Sequence, residues 1–198
     1  MNSLKDSKTK VNLMRAFAGE SQARNRYTFG ASQAKQQKLS LIEHAFTYTA
    51  NQEKAHAEVF FNHLKEFSGG TVRIDDAAYP VTVFDNIVQT LRAAQEGEYH
   101  EWDEVYKSFA QTAKEEGFTA IANSFDQIAQ IEKTHGDRFG YFADHIENGT
   151  LFRSESEEQW ICLNCGHIHT GKDAPKDCPV CQYPQGYFIL YSMSPFGK

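Results

Sequence analysis

Glu-x-x-His occurs twice in the chain, as EKAH at Glu53 and His56 and as EKTH at Glu132 and His135. Residues three apart share a helix face, so each pair can turn a carboxylate oxygen and an imidazole nitrogen toward one ion. A glutamate on an earlier segment precedes each pair: Glu20 in AGE and Glu98 in EGE. The two glutamates are 78 residues apart and the two Glu-x-x-His motifs 79, so the halves repeat with a one-residue difference in register. One glutamate from each of two helices plus Glu-x-x-His from each of two others is the donor set of a di-metal carboxylate bundle. Any one of these motifs reads as readily as a solvated helix face; the matched spacing on all four segments carries the argument. Several carboxylates inside one bundle would repel and resist desolvation, and two divalent cations relieve both penalties. Without metal, raised glutamate pKa values or a loosened centre are expected.

A second donor set lies near the C-terminus. WICLNC supplies Cys162 and Cys165, and CPVC, twelve residues on, supplies Cys178 and Cys181. Two such knuckles bring four thiolates to one tetrahedral ion. Zinc would make the module a structural ribbon and iron a one-electron centre. His167 and His169 are superfluous, since four cysteines complete the tetrahedron. Gly166 suits a knuckle turn because glycine takes positive φ cheaply, whereas the second knuckle has Gln182 in that place. All four cysteines are used in pairs, which fits metal binding in a reducing cytosol better than disulfides.

These donors require long helices. Val11 to Gln37 has helical spacing of apolar and small residues, and SLIE, with Ser40 and Glu43, reads as a capping box opening a helix to about Phe67. Residues 68–80, with two glycines, two aspartates and a proline, read as a long crossover. TVFD at Thr82 to Asp85 offers the next cap, for a helix reaching KEEG at Lys114 to Gly117. A fourth helix from Phe118 to about Ile146 stops at Gly149. Two hairpins joined by one crossover make the ferritin-like variant of the four-helix bundle. The expectation is a mainly α chain, with the bundle over 1–152 and a small module over 153–198. Residues 153–159, RSESEEQ, read as its linker, and Trp160, Tyr187 and Phe188 as its core.

A net charge of −6 argues against nucleic acid or an anionic membrane as partner. No stretch approaches the roughly 18 apolar residues of a membrane span, and the opening MNSLKDSKTK has no apolar leader core. A cytoplasmic protein is expected. His44, His63, His100 and His145 belong to no paired motif and read as surface or packing residues.

Glu101, three after Glu98, breaks the repeat, because the equivalent position in the first half is Ala23. It reads either as a solvent-facing residue or as a seventh, exchangeable ligand. The bundle motifs followed by a four-cysteine module resemble the rubrerythrins over almost the whole chain. The resemblance implies two iron ions in the bundle and one at the four cysteines. It makes Glu53 and Glu132 bridging ligands, Glu20 and Glu98 terminal ones and His135 the ligand of one iron. The other iron would move between Glu101 when oxidised and His56 when reduced. Tyr27 and Tyr106 match tyrosines that the family places beside the cluster. The implied activity is a non-haem di-iron peroxidase that reduces hydrogen peroxide to water in oxidative-stress defence. Electrons would come from NAD(P)H through a separate reductase and rubredoxin or a similar carrier, since the chain has no glycine-rich dinucleotide fingerprint. A head-to-tail homodimer or higher homo-oligomer is implied as well. The alternatives are a ferroxidase or iron store, which leaves the four-cysteine module unexplained, and a zinc-stabilised binding module with a redox-silent bundle.

Overall fold

The computed structural model describes residues 3–194. Ser7 starts helix α1 (Lys8–Gln36) by accepting the Lys10 N–H at 3.0 Å. The helix ends in a Schellman turn, with Leu39 N–H on the Ala34 carbonyl at 2.9 Å and Lys38 at a φ of 59°. Helix α2 (Ser40–His63) then begins directly from Leu39. The expected capping box therefore does not form: Ser40 is already the first helical residue, its hydroxyl lies 3.3 Å from His44 Nδ1, and Glu43 pairs with Lys35 instead. α2 also stops before Phe67, which lies in a separate 3₁₀ turn, Lys65–Phe67.

The crossover continues past Thr82–Asp85, where a helix start was expected. Side-chain amides of Gln33 and Gln37 hold the Phe84 and Asp85 carbonyls at 2.8 and 3.3 Å, keeping that stretch laid along α1. Asn86 is the actual cap, accepting from Val88 N–H at 2.8 Å, and α3 runs Ile87–His100. A single π-helical turn, Glu101–Val105, joins it to α4 (Tyr106–Glu115). A second Schellman turn at Gly117 (φ 82°) leads into α5 (Thr119–Glu147), which stops at Gly149 as expected, with Thr150 N–H on the His145 carbonyl at 2.8 Å. The four rods are thus α1, α2, α3 with α4, and α5.

Two apolar clusters fill the bundle. One gathers Tyr27, Phe46, Leu91 and Phe139; the other gathers Leu13, Phe60, Tyr106 and Phe125. On every rod the metal-motif glutamate falls between members of the two: Glu20 between Ala16 and Ala23, Glu53 between Ala50 and Phe60, Glu98 between Ala94 and Tyr106, Glu132 between Ala129 and Phe139. A polar layer is thereby sealed from water on both sides by close-packed side chains.

Residues 153–159 are not a linker but the start of strand β1 (Arg153–Cys162). Only its last residues meet a core, so the charged first part lacks the alternation that marks a half-buried strand. β1 lies between β2 (Ile168–Asp173) and β3 (Phe188–Leu190), antiparallel to both. Trp160 and Phe188 are buried in the module's core, with Tyr187 packed against them. The module is seated on the end of the bundle: Ile189 belongs to the first bundle cluster, and a Cβ at Gly186 would meet the Lys38 carbonyl oxygen at 2.0 Å. Among the described residues no helix is long and apolar enough to cross a membrane.

Candidate metal centres

Glu20 on α1, Glu53 and His56 on α2, Glu98 on α3, and Glu132 and His135 on α5 all turn inward and are buried. They form two overlapping sets of four donors. One is Glu20, Glu53, His56 and Glu132; the other is Glu53, Glu98, Glu132 and His135. Within each, the donor atoms lie within 4.8 Å of one another, and Glu53 and Glu132 belong to both. Glu132 reaches one imidazole with each oxygen, His56 Nδ1 at 2.9 Å and His135 Nδ1 at 2.8 Å.

The tyrosines divide the carboxylates into two kinds. Tyr27 donates to Glu98 Oε1 and Tyr106 to Glu20 Oε1, each from one half of the repeat to the other. Glu20 and Glu98 thus each have one oxygen held by a tyrosine, while Glu53 and Glu132 have no tyrosine donor and meet only the imidazoles and the other carboxylates of the cluster. Among the described residues, nine buried side-chain atoms of these six ligand-type residues make no hydrogen bond of good geometry, even where they lie 2.8–2.9 Å apart, against one elsewhere, Arg15 Nε. Buried polar atoms are almost always satisfied. So dense a gathering of unsatisfied oxygens and nitrogens fits a site built for cations.

The electrostatics agree. Burial, then the Glu53 charge, pushes Glu20 up to about 8. The same causes hold Glu98 well above the carboxylate range, and burial followed by Glu20 and Glu98 does so for Glu101. Glu53 departs from the expected rise: burial raises it, but hydrogen bonds with His135 and His56 win and bring it below the ordinary value. Burial would lower both imidazoles, yet the carboxylates around them prevail, raising His135 to about 11 and His56 likewise upward. Without metal, protons neutralise part of the carboxylate charge and imidazolium supplies some of the positive charge that metal ions otherwise bring.

Glu101 is in neither four-donor set. It lies on the π turn, half-buried, with Oε1 3.6 Å from the position a Cβ on Gly19 would take. With Tyr106 it lines a cleft of about 510 Å³ between α1, the π turn and crossover residues 76–80. The turn also explains the one-residue register difference. Glu20 and Tyr27 are seven apart, two α-helical turns, whereas Glu98 and Tyr106 are eight apart. The wider π turn absorbs the extra residue, so Tyr106 still faces the cluster. The displaced spacing between the halves was the visible signal of this turn; nothing in the local sequence marked the cleft.

The four cysteines come together as their spacing requires. Cys162 and Cys181 sulfurs are 3.7 Å apart, as are those of Cys165 and Cys178. Four sulfurs about 2.3 Å from one tetrahedral ion stand about 3.8 Å from each other, so the cage fits. The knuckles share one backbone form: Gly166 donates to the Cys162 carbonyl at 2.8 Å and Gln182 to that of Cys178 at 2.9 Å, with φ of 77° and 61°. Gln182 accepts the left-handed conformation despite its side chain. Burial raises the Cys162 thiol to about 12; at Cys181 burial is outweighed by hydrogen bonds involving Asn164 and the Tyr183 backbone, lowering it to about 6. His44, His63 and His145 bond instead to Ser40, Ser124 and Thr150, and His100 lies beside Glu104; none joins a donor set.

A family model described as "Rubrerythrin" matches residues 11–142, and one described as "Rubrerythrin, rubredoxin-like domain" matches 160–189. The rubrerythrin of Porphyromonas gingivalis is 47% identical over 94% of this chain and 91% of its own. Among solved structures, mixed-valence nigerythrin is 28% identical with a TM-score of 0.61, over 96% of this chain and 92% of that one. A Desulfovibrio desulfuricans bacterioferritin, 22% identical, shares the bundle fold at a TM-score of 0.65 over 72% of this chain and 82% of its own.

Proposed function

The chain belongs to the rubrerythrin family, with a di-iron site in the bundle and a rubredoxin-like four-cysteine site, and from that premise we propose that it is a peroxidase reducing hydrogen peroxide to water. The observation that carries this reading is the placement of Glu101 and Tyr106. Both line an open cleft, and Tyr106 is bonded to Glu20 of the first donor set.

Peroxide reduction consumes two electrons and two protons and yields two waters. The irons, when bound, supply one electron each in passing from ferrous to ferric. Glu53 and Glu132, which belong to both donor sets, would be shared by the two ions, and Glu20 and Glu98, each with one oxygen held by a tyrosine, would each serve one. His56 and His135 complete the two sets. Glu101 stands on the cleft wall, where its carboxyl can give a proton to an oxygen arriving through the cleft. Tyr106, which also lines the cleft, holds Glu20 in place through its hydroxyl. The tyrosines and apolar clusters exclude bulk water from the remaining donors.

Cys162, Cys165, Cys178 and Cys181 would hold the iron whose one-electron chemistry would replenish the bundle site. Its own electrons come from NAD(P)H through a separate reductase and rubredoxin or a similar carrier. A head-to-tail dimer would bring one subunit's module to the other's di-iron site.

The test is an anaerobic stopped-flow trace of fully reduced, iron-loaded protein mixed with hydrogen peroxide. Return of the oxidised tetrathiolate bands, faster than with dioxygen, is expected. A stronger response to dioxygen would move the assignment to a ferroxidase.

A further inference from the structure

The cleft in front of Glu101 is much larger than hydrogen peroxide needs. Its 510 Å³ compares with about 30 Å³ for a water molecule and lies within the roughly 300–1,000 Å³ of sites that enclose organic ligands. The floor is polar and chemically active, made by Glu101 and Tyr106. The walls are mainly apolar, with Ala16, Ala77, Pro80, Val105 and Phe109 among them. Arg15 lines the same cleft, and its Nε is the one buried side-chain nitrogen or oxygen, among the described residues outside the donor sets, without a hydrogen-bond partner. A buried N–H left unpaired costs stability, so it suits a guest that brings an acceptor oxygen. A small-molecule site commonly combines an apolar wall with a few convergent polar groups.

We propose that this cleft binds organic hydroperoxides with a compact apolar substituent, such as a cumyl or tert-butyl group, and that they are substrates alongside hydrogen peroxide. The proposal rests on the peroxidase reading. The hydroperoxide's O–O bond breaks with two electrons from the reduced di-iron pair and two protons from solvent, giving one alcohol and one water. The hydroperoxide end lies at Glu101 and Tyr106, and the substituent lies against Ala77, Pro80 and Phe109.

Binding is tested apart from turnover in full-length protein loaded with redox-silent zinc. Titration with 2-phenyl-2-propanol, the alcohol product from cumene hydroperoxide, is followed by methyl NMR. Saturable shifts at Ala16, Ala77 and Val105, with none at Ala174 in the distant module, are expected. Ala78→Trp, on the crossover side of the cleft, should abolish them, with Ala77→Phe as a second variant if the first misfolds. In the ferrous protein, one alcohol per di-iron pair oxidised is expected. The tryptophan should lower the rate with cumene hydroperoxide relative to hydrogen peroxide by about tenfold or more. Absent shifts, or a rate ratio indifferent to both substitutions, would overturn the proposal. Hydrogen peroxide consumed while cumene hydroperoxide is not would also overturn it and leave the peroxidase reading standing. Failure with both oxidants would remove that reading as well.

Discussion

The Tyr106 hydroxyl donates to Glu20 Oε1 at 2.5 Å, from the π-turn rod across to α1. Its counterpart, Tyr27 on Glu98, runs the opposite way between the same two rods. Tyr106→Phe keeps the ring but leaves a buried carboxylate oxygen unmatched, a loss of about 1–3 kcal/mol. The metal-loaded variant should melt at a lower temperature and turn over peroxide more slowly. An unchanged melt would show that Glu20 finds another donor.

The metal-free protein should lose stability as the solution is made alkaline. Glu20 (about 8) and His135 (about 11) have folded pKa values above their ordinary ones of 4.5 and 6.5. Groups shifted upward favour the folded state at low pH: the Glu20 contribution is complete below 4.5 and lost as pH rises through about 8, that of His135 complete below 6.5 and lost through about 11. Ions that take the place of those protons remove the dependence. Thermal melts between pH 6 and 10 should therefore slope downward for the apo protein and stay flatter for the loaded one. At pH 7 metal addition should release protons into a dye-monitored, weakly buffered solution.

Glu101→Ala should fold normally, because the residue stands at a cleft wall and outside both four-donor sets. Peroxide turnover should slow much more than dioxygen consumption. Unchanged peroxide kinetics would remove Glu101 from the reaction.

The π turn makes the two halves respond differently to shortening. Deleting Glu104 lets Glu101–Val105 relax to α-helix and restores the seven-residue spacing seen between Glu20 and Tyr27, so Tyr106 should keep its bond to Glu20. Deleting Asn25 from regular α1 instead turns Tyr27 by about 100° away from Glu98. Circular dichroism and melting should show the first deletion tolerated and the second severely destabilising.

Gln182→Gly relieves a left-handed backbone of about 1–2 kcal/mol, offset in part by the greater freedom of glycine when unfolded. Slower loss of iron to a chelator is expected.

What the sequence made legible was whatever repeats. Glu53, His56, Glu132 and His135 announce themselves because helix geometry turns a spacing of three into a shared face, and the cysteine knuckles are equally local. The failures concern competition between neighbouring elements. Ser40 looked like a cap until the preceding Schellman turn took the residue before it. Thr82–Asp85 looked like a helix start, but distant glutamines on α1 bind its carbonyls. Residues 153–159 looked like a linker because a strand wet on both faces carries no alternation. The cleft at Glu101 joins α1, the π turn and the crossover, a meeting that no single stretch of chain encodes.

The extra residue absorbed at Glu101–Val105 has a meaning in terms of heredity. A chain that pairs with its own near-copy need specify only half of a two-ion site, and the product is symmetric by construction. One added codon, taken up by a local widening of a single rod, breaks that symmetry without repacking the remainder. On that widened turn sits Glu101, a carboxylate where the other half has Ala23.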